Sequence, residues 1–339
     1  MPQDKLQGLQ ALRALAAVMV LIGHVLAEAE HYFGLSLPGD AIPWTRGVDI
    51  FFVISGFVVT LSADRFLGQP GAFLARRMIR VVPLYYLFTT LMVIVLIALP
   101  SGTKDTALDP AQILSSYTFF PYERADGRIA PVLSLGWTLN YEVFFYALLA
   151  LCLALPRPLL AITVILITLS GLGLWTDWDS PQLTFWTNPL ILEFAMGIAL
   201  ARLWMRGSRL PSPQLALGVL TLGLTLLILL DPLDLPRFIA AGLPATLIVA
   251  AGTLFCPNRP LPLQLTGDAS YALYLSHRFT LRAATLLLLP LLPATPIGAL
   301  AYVGAVCALS LAVAFVTHLA LERPLMRALS GPKAPKVPA

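Results

Sequence analysis

Long apolar runs separated by short polar clusters set the pattern of this 339-residue chain. Ten runs are long enough to cross about 30 Å of hydrocarbon once tilt is allowed for. They lie near residues 9–27, 47–62, 81–99, 132–155, 158–175, 186–204, 214–230, 237–256, 269–292 and 297–320, the second being short. The runs are too long, and too poor in apolar–polar alternation, to be barrel strands. Helices satisfy their backbone groups within the segment and so tolerate lipid. Proline marks most joins: Pro100, Pro156 with Pro158, Pro211 with Pro213, Pro232 with Pro236, Pro257 with Pro260, and Pro293 with Pro296. The fold class expected is therefore all-α, a polytopic integral membrane helical bundle of about ten transmembrane helices.

Composition excludes the soluble alternative. Hydrophobic residues make up 58% of the chain and charged ones 12%, where a soluble domain carries about a quarter charged. The net charge of +4 does not call for nucleic acid, because basic residues of membrane proteins gather in cytoplasmic loops. With the N-terminus inside, thirteen Lys and Arg fall in inner segments: Lys5, Arg65, Arg76, Arg77, Arg80, Arg157, Arg206, Arg209, Arg259, Arg323, Arg327, Lys333 and Lys336. Five fall outside: Arg46, Lys104, Arg124, Arg128 and Arg237. Both termini are accordingly expected in the cytoplasm. The longest loop, 100–131, is too short to fold alone, so residues 1–330 are read as a single transmembrane domain and 331–339 as a short basic cytoplasmic tail.

A competing reading of the first run is a secretory signal, with Lys5 and Arg13 in an n-region and Ala27-Glu28-Ala29 as a cleavage site. Cleavage there would discard Arg13 and His24. Cys152, Cys256 and Cys307 are far apart and lack metal-site spacing; they read as small core hydrophobes. No metal site is expected.

Ionisable groups inside spans cost a few kcal/mol each on insertion scales, so they line cavities or pair with one another. Eight stand out: Arg13, His24, Asp49, Glu142, Glu193, His277, Arg278 and Arg282. Arg13 and His24 bracket the stretch RALAAVMVLIGH. Eleven residues are about three helical turns, so both point to one face, roughly 16 Å apart along the axis. Asp49 begins the returning second run at a depth similar to that of His24. A carboxylate beside imidazole stabilises its protonated form, as a general base requires.

Ser134, Thr138 and Glu142 recur at i, i+4 and i+8 in the fourth run, flanked by Asn140 and Tyr141. Glu142 there reads as a partner for an intramembrane cation or as a catalytic acid/base. Arg76, Arg77 and Arg80 crowd the inner edge before the third run; Arg76 and Arg80 share a face suited to several phosphate oxygens. The positive-inside rule and anionic membrane lipid also account for such a cluster. In the ninth run His277 reads as a pocket residue beside Arg278, while Glu193 is placed to neutralise Arg278 or Arg282. One functional reading of these charges is a proton relay in a secondary transporter or lipid-linked sugar flippase; the inverted repeats that class would show are not found.

The motifs also fall in the order of a known family. LRALAAVMVLIGH, GVDIFFVISGF, FLARRMIRVVPLYYL, GWTLNYEVFFY, SYALYLSH and the closing LERPL together resemble membrane acyltransferase family 3, over roughly residues 6–327. Members of that family O-acylate sugars and other extracytoplasmic acceptors from cytosolic acyl-CoA. Tyr141 and Val143 beside Glu142, and Ser276 before His277, depart from its commoner residues. The resemblance implies an acyltransferase, acetyl by default, in a bacterial inner membrane, without the fused esterase-like domain of some relatives.

By that resemblance His24 is the essential histidine and Arg13 its basic partner, Arg77 and Arg80 are the paired arginines of the inner loop, Glu142 is the glutamate of the fourth run and His277 the histidine that ends the ninth-run motif. Together with the residues read from position, the expected catalytic group is His24, Asp49 and Glu142, the acyl-CoA site is Arg13, Arg76, Arg77 and Arg80, and the substrate pocket is Asn140, Tyr141, His277 and Arg278. The expected partners are acyl-CoA, a carbohydrate or lipid-linked glycan acceptor and membrane lipid. Acetyl-CoA enters as a donor substrate and no cofactor is permanently bound.

Overall fold

A computed structural model describes residues 7–98, 109–255 and 263–329. Lys5, Lys104, Cys256, Arg259, Lys333, Lys336, Pro100, Pro257, Pro260 and the 331–339 tail lie outside the described residues. The helices are α1 (Gln7–Phe33), α2 (Gly47–Ala63), α3 (Pro70–Ala98), α4 (Pro110–Thr118), α5 (Trp137–Cys152), α6 (Pro158–Trp175) and α7 (Pro181–Trp186). They continue with α8 (Leu192–Met205), α9 (Pro213–Leu230), α10 (Leu243–Leu254), α11 (Gln264–Asp268), α12 (Ser270–Leu288), α13 (Pro296–Thr317) and α14 (Arg323–Leu329). Among the described residues there is no strand, only one isolated bridge between Glu123 and Ile129.

Where it is described, each of the ten apolar runs is mainly helical, the sixth with a break at Thr187 and Asn188, and eight helical stretches among the described residues are long and apolar enough to cross a membrane. Two differ from the expectation. The apolar helix Phe238–Leu254 is shorter than a full span. The helix α12 carries Tyr271, Tyr274, His277, Arg278 and Arg282 and is too polar to count with the eight. Two π-helical turns, Phe238–Gly242 and His318–Glu322, widen the backbone where α10 begins and where α13 ends. Such turns often accompany functional sites. The third run starts earlier than its apolar pattern suggests: α3 begins at Pro70, so Arg76, Arg77 and Arg80 are helical and not in a loop. Proline favours the first helical turn because its missing N–H is an orphan there anyway.

Small residues decide which helices approach closely. Ala14, Ala16, Ala17 and Ala29 are buried on α1, which packs against α2, α10, α11, α12 and α13 and so forms the axis of the bundle. The most extensive helix pair is α2 with α8. A Cβ built on Gly56 would strike the carbonyl of Phe194, and one on Gly197 the carbonyl of Val53, so this crossing depends on two facing glycines. By contrast α6, α9 and α13 leave most of their surface open, with Ile167, Leu217 and Ile297 exposed as befits a lipid-facing shell.

The loop between α3 and α5 is tied down locally. Asp109 caps α4, accepting from the Tyr122 hydroxyl and, at 2.9 Å, from the Ala111 N–H. These two donors hold its carboxyl below the usual carboxylate range.

Candidate active site

One face of α1 carries Gln10, Arg13, Val20 and His24, and this face borders two cavities in succession. The inner cavity, of about 280 Å³, takes Arg13 from α1, Arg77 and Arg80 from α3, and Glu142 and Tyr146 from α5. Its walls are apolar side chains of α2, among them Phe51, Phe52 and Val59, and α12 adds Ser270, Tyr271 and Tyr274. Depth along the helices orients it. Arg13, Arg77, Arg80 and Ser270 lie at the end where the basic loops are expected, and Val48, Thr138 and Tyr274 lie further in, Tyr274 one turn beyond Ser270.

Within this cavity the charges are partly committed. Arg13 donates to Gln10 Oε1 at 3.3 Å. Arg77 donates to Ser62 Oγ and places its guanidinium 5.5 Å from the Phe73 ring centre and 5.8 Å from that of Tyr146, which fixes it by stacking as well as by charge. Glu142 accepts from Ser55 Oγ at 3.1 Å and from the Tyr146 hydroxyl. It therefore belongs to the arginine end and not to His24. Arg80 is exposed and lines the cavity, whereas Arg76 is exposed and does not.

The second cavity, of about 150 Å³, is lined by His24, Thr45, Arg46, Trp137 and Arg237 among others. Val48 and Tyr274 line both cavities, which therefore adjoin along these two side chains. The Tyr274 hydroxyl donates to the Leu135 carbonyl at 3.0 Å and meets Thr138 Oγ1 at 2.9 Å. His24 Nδ1 lies 2.9 Å from the Val20 carbonyl, one turn back. A carbonyl oxygen only accepts, so Nδ1 carries the hydrogen and Nε2 is left as the basic nitrogen.

Asp49 is where the sequence reading departs most from the geometry. Its carboxylate is 0% exposed and accepts from Arg237 Nε at 2.8 Å and Nη2 at 3.0 Å, not from His24. The physical reason is that a guanidinium offers two parallel donors to a carboxylate and an imidazole only one. Arg237 arrives from the segment leading into the first π turn, together with Asp231, which accepts from Arg46 Nε at 2.6 Å. Glu193 is likewise fully buried and faces Asp49 and Arg237, not α12. Arg282 instead donates to the Tyr32 hydroxyl at 2.9 Å.

None of the four expected substrate-pocket residues lines either cavity. Asn140 is buried with both side-chain amide atoms lacking a hydrogen-bond partner. Tyr141 stacks on Phe185 with ring centres 3.7 Å apart, Arg278 is exposed, and His277 lies behind His24. The cavity residues that sequence reasoning passed over are Arg46, Arg237, Trp137, Tyr274 and Tyr146. Arg237 and Arg46 had been counted as loop charges. Two helical spacings offered a signal: Tyr274 stands three residues before His277, and Tyr146 four after Glu142. Among the described residues no three His, Cys, Asp or Glu side chains come together as a metal site. Cys152 and Cys307 are free thiols.

A cavity with guanidinium groups at one end, adjoining a smaller one lined by an imidazole, suits the meeting of an anionic, elongated donor with a second reactant. Comparison with known proteins bears on which reaction that is. The profile of acyltransferase family 3, described as an acyltransferase domain, matches residues 6–319. The chain is 32% identical to the exopolysaccharide production protein ExoZ of Rhizobium meliloti strain 1021, over 91% of this chain and 95% of that protein. It is 28% identical to nodulation protein 10 of Rhizobium leguminosarum bv. viciae, covering 78% of this chain and 80% of the other. Acyltransferase MdmB of Streptomyces mycarofaciens is 28% identical, with 96% and 92% covered. No solved structure matches the chain.

Proposed function

The chain belongs to acyltransferase family 3 and is a multi-pass membrane acyltransferase; from that premise we propose that it moves an acetyl group from cytosolic acetyl-CoA to a hydroxyl of a polysaccharide. The observation that carries this reading is the pair of cavities adjoining along Val48 and Tyr274, with three arginines in the larger and His24 in the smaller. Arg13, Arg77 and Arg80 hold the phosphates of CoA through charge-assisted hydrogen bonds; Arg76, off the cavity, takes no part. The pantetheine arm runs along the apolar walls of α2, and the thioester reaches Val48 and Tyr274. The acceptor hydroxyl enters the smaller cavity, where Trp137 offers a ring face and Arg46 and Arg237 offer donors.

The chemistry follows from the tautomer. His24 Nε2 takes the hydroxyl proton as the oxygen attacks the thioester carbonyl, the C–O bond forms, and the C–S bond of the tetrahedral intermediate breaks. The proton then passes to the leaving CoA thiolate. A positioned general base contributes roughly 10² to 10⁴ in rate, and holding both reactants side by side contributes through proximity. Glu142 serves the arginine end, balancing the positive charge of Arg13 and Arg77. Asp49 acts through Arg237 by fixing a wall of the acceptor cavity. The acceptor class is supported by the exopolysaccharide role in the name of one relative, and the membrane is proposed to be the bacterial cytoplasmic membrane.

The test is thiol release from acetyl-CoA by purified protein, with the exopolysaccharide fraction of the producing cells as acceptor. The wild type releases CoA thiol and the polysaccharide gains acetyl mass. His24→Ala loses at least 100-fold of that rate while accumulating normally in the membrane. An active His24→Ala variant excludes the base role.

A further inference from the structure

We infer that His277 is a positioning residue: it accepts from the Nδ1–H of His24 and thereby holds that ring with Nε2 as the base. The inference rests on the reading of His24 as the general base. It starts from two backbone contacts of the same kind. His24 Nδ1 lies 2.9 Å from the Val20 carbonyl and His277 Nδ1 lies 3.0 Å from the Leu273 carbonyl, each one turn back on its own helix. Carbonyl oxygens have no hydrogen to give, so each Nδ1 carries its hydrogen and each Nε2 is a bare lone pair.

The two rings then meet in one sense only. His277 Nε2 is 3.4 Å from His24 Nδ1, with ring centres 5.1 Å apart and planes at 48°. Because His277 has no hydrogen on Nε2, it is the acceptor, and the His24 Nδ1–H is shared between Val20 and His277. Two acceptors on one N–H hold the imidazole against rotation about its side-chain bonds and against the other tautomer. A group hydrogen-bonded to the far nitrogen is how a histidine's reactive nitrogen is chosen.

Burial says that His277 works through His24 and not on a substrate. It is 1% exposed and lines neither cavity, whereas His24 lines the smaller one. The carboxylate that sequence order brought nearest to His24, that of Asp49, is taken by Arg237, which leaves the orienting position to an uncharged group. When His24 gains a proton at Nε2, both acceptors at Nδ1 strengthen their hold on the cation, and neither is a carboxylate.

The experiment compares His277→Leu, His277→Gln and His24→Ala, each first shown to be monodisperse in detergent. The glutamine places an amide oxygen near the position of Nε2; the leucine fills similar volume with no acceptor. His277→Leu is expected to lose 10- to 100-fold in kcat for thiol release from acetyl-CoA with the same polysaccharide fraction, with KM for acetyl-CoA within about twofold. His277→Gln recovers most of the rate. Equal impairment of both variants, a wild-type kcat in His277→Leu, or a loss in KM alone overturns the inference.

The two readings fail separately. Activity in His24→Ala removes the base role of His24, while an inactive His24→Ala beside a fully active His277→Leu removes only the role of His277. A readout independent of turnover is ¹⁵N spectroscopy of histidine-labelled protein, which has only four histidines. The inference requires His24 in the Nδ1–H tautomer in the wild type, with its Nδ1 resonance moving in His277→Leu. An Nε2–H tautomer, or no movement, overturns it.

Discussion

At the scale of single residues, the arrangement separates charges that the sequence lists side by side. The cluster at positions 76, 77 and 80 looks uniform in sequence, yet each arginine has a different position. Arg77 is pinned between Phe73 and Tyr146 and bonded to Ser62, Arg80 is exposed on the cavity, and Arg76 lies off it. Replacing Arg77 and Arg80 together with Ala is expected to raise KM for acetyl-CoA by tenfold or more. Charge-assisted hydrogen bonds are worth about 1.5–3 kcal/mol each. The KM for the polysaccharide stays within twofold, and initial-rate kinetics with each substrate varied in turn checks it; equal rises in both constants would remove the phosphate role. Arg76→Ala is expected to change neither constant.

At the scale of elements, polar bridges carry as much of the geometry as apolar packing does. The pairs Asp49–Arg237 and Arg46–Asp231 join the start of α2 to the segment before the π turn, across more than 180 residues of sequence. They fix the wall of the smaller cavity where three elements meet. Removing one member of a buried pair leaves an uncompensated charge, at about 3–5 kcal/mol, whereas replacing both with apolar residues of similar volume is often neutral. Arg237→Met should therefore lower the thermal midpoint of the detergent-solubilised protein clearly, and Asp49→Leu with Arg237→Met should recover most of it. A single variant as stable as the wild type would show that Asp49 does not depend on Arg237. The glycine-faced crossing with α8 continues along the same face of α2, since Gly56 follows Asp49 by seven residues, about two turns.

At the scale of the whole molecule, two adjoining cavities run along the bundle, and from the basic loops we propose that the arginine end faces the cytoplasm. In a background with the three cysteines replaced by Ala, Thr45→Cys is expected to react with a membrane-impermeant maleimide in intact cells. Arg65→Cys is expected to react only after permeabilisation; both positions are exposed. The reverse pattern would invert the assignment of donor and acceptor sides. The amino-acid pattern by itself determined the helical class, the placement of the ten apolar runs, the shared face of Arg13 and His24 and the order of the family motifs. These are local or periodic properties, set by hydrophobicity and by the fixed rise and turn of a helix. Only the tertiary structure decided which carboxylate meets which cation, that Glu142 stands with Arg77 and Asp49 with Arg237, that His277 lies behind His24, and that Tyr274 lines both cavities. Those are contacts between helices far apart in the chain, chosen by shape and by the geometry of donors and acceptors. A sequence states the charges along each helix, but not which neighbour each helix will turn them toward.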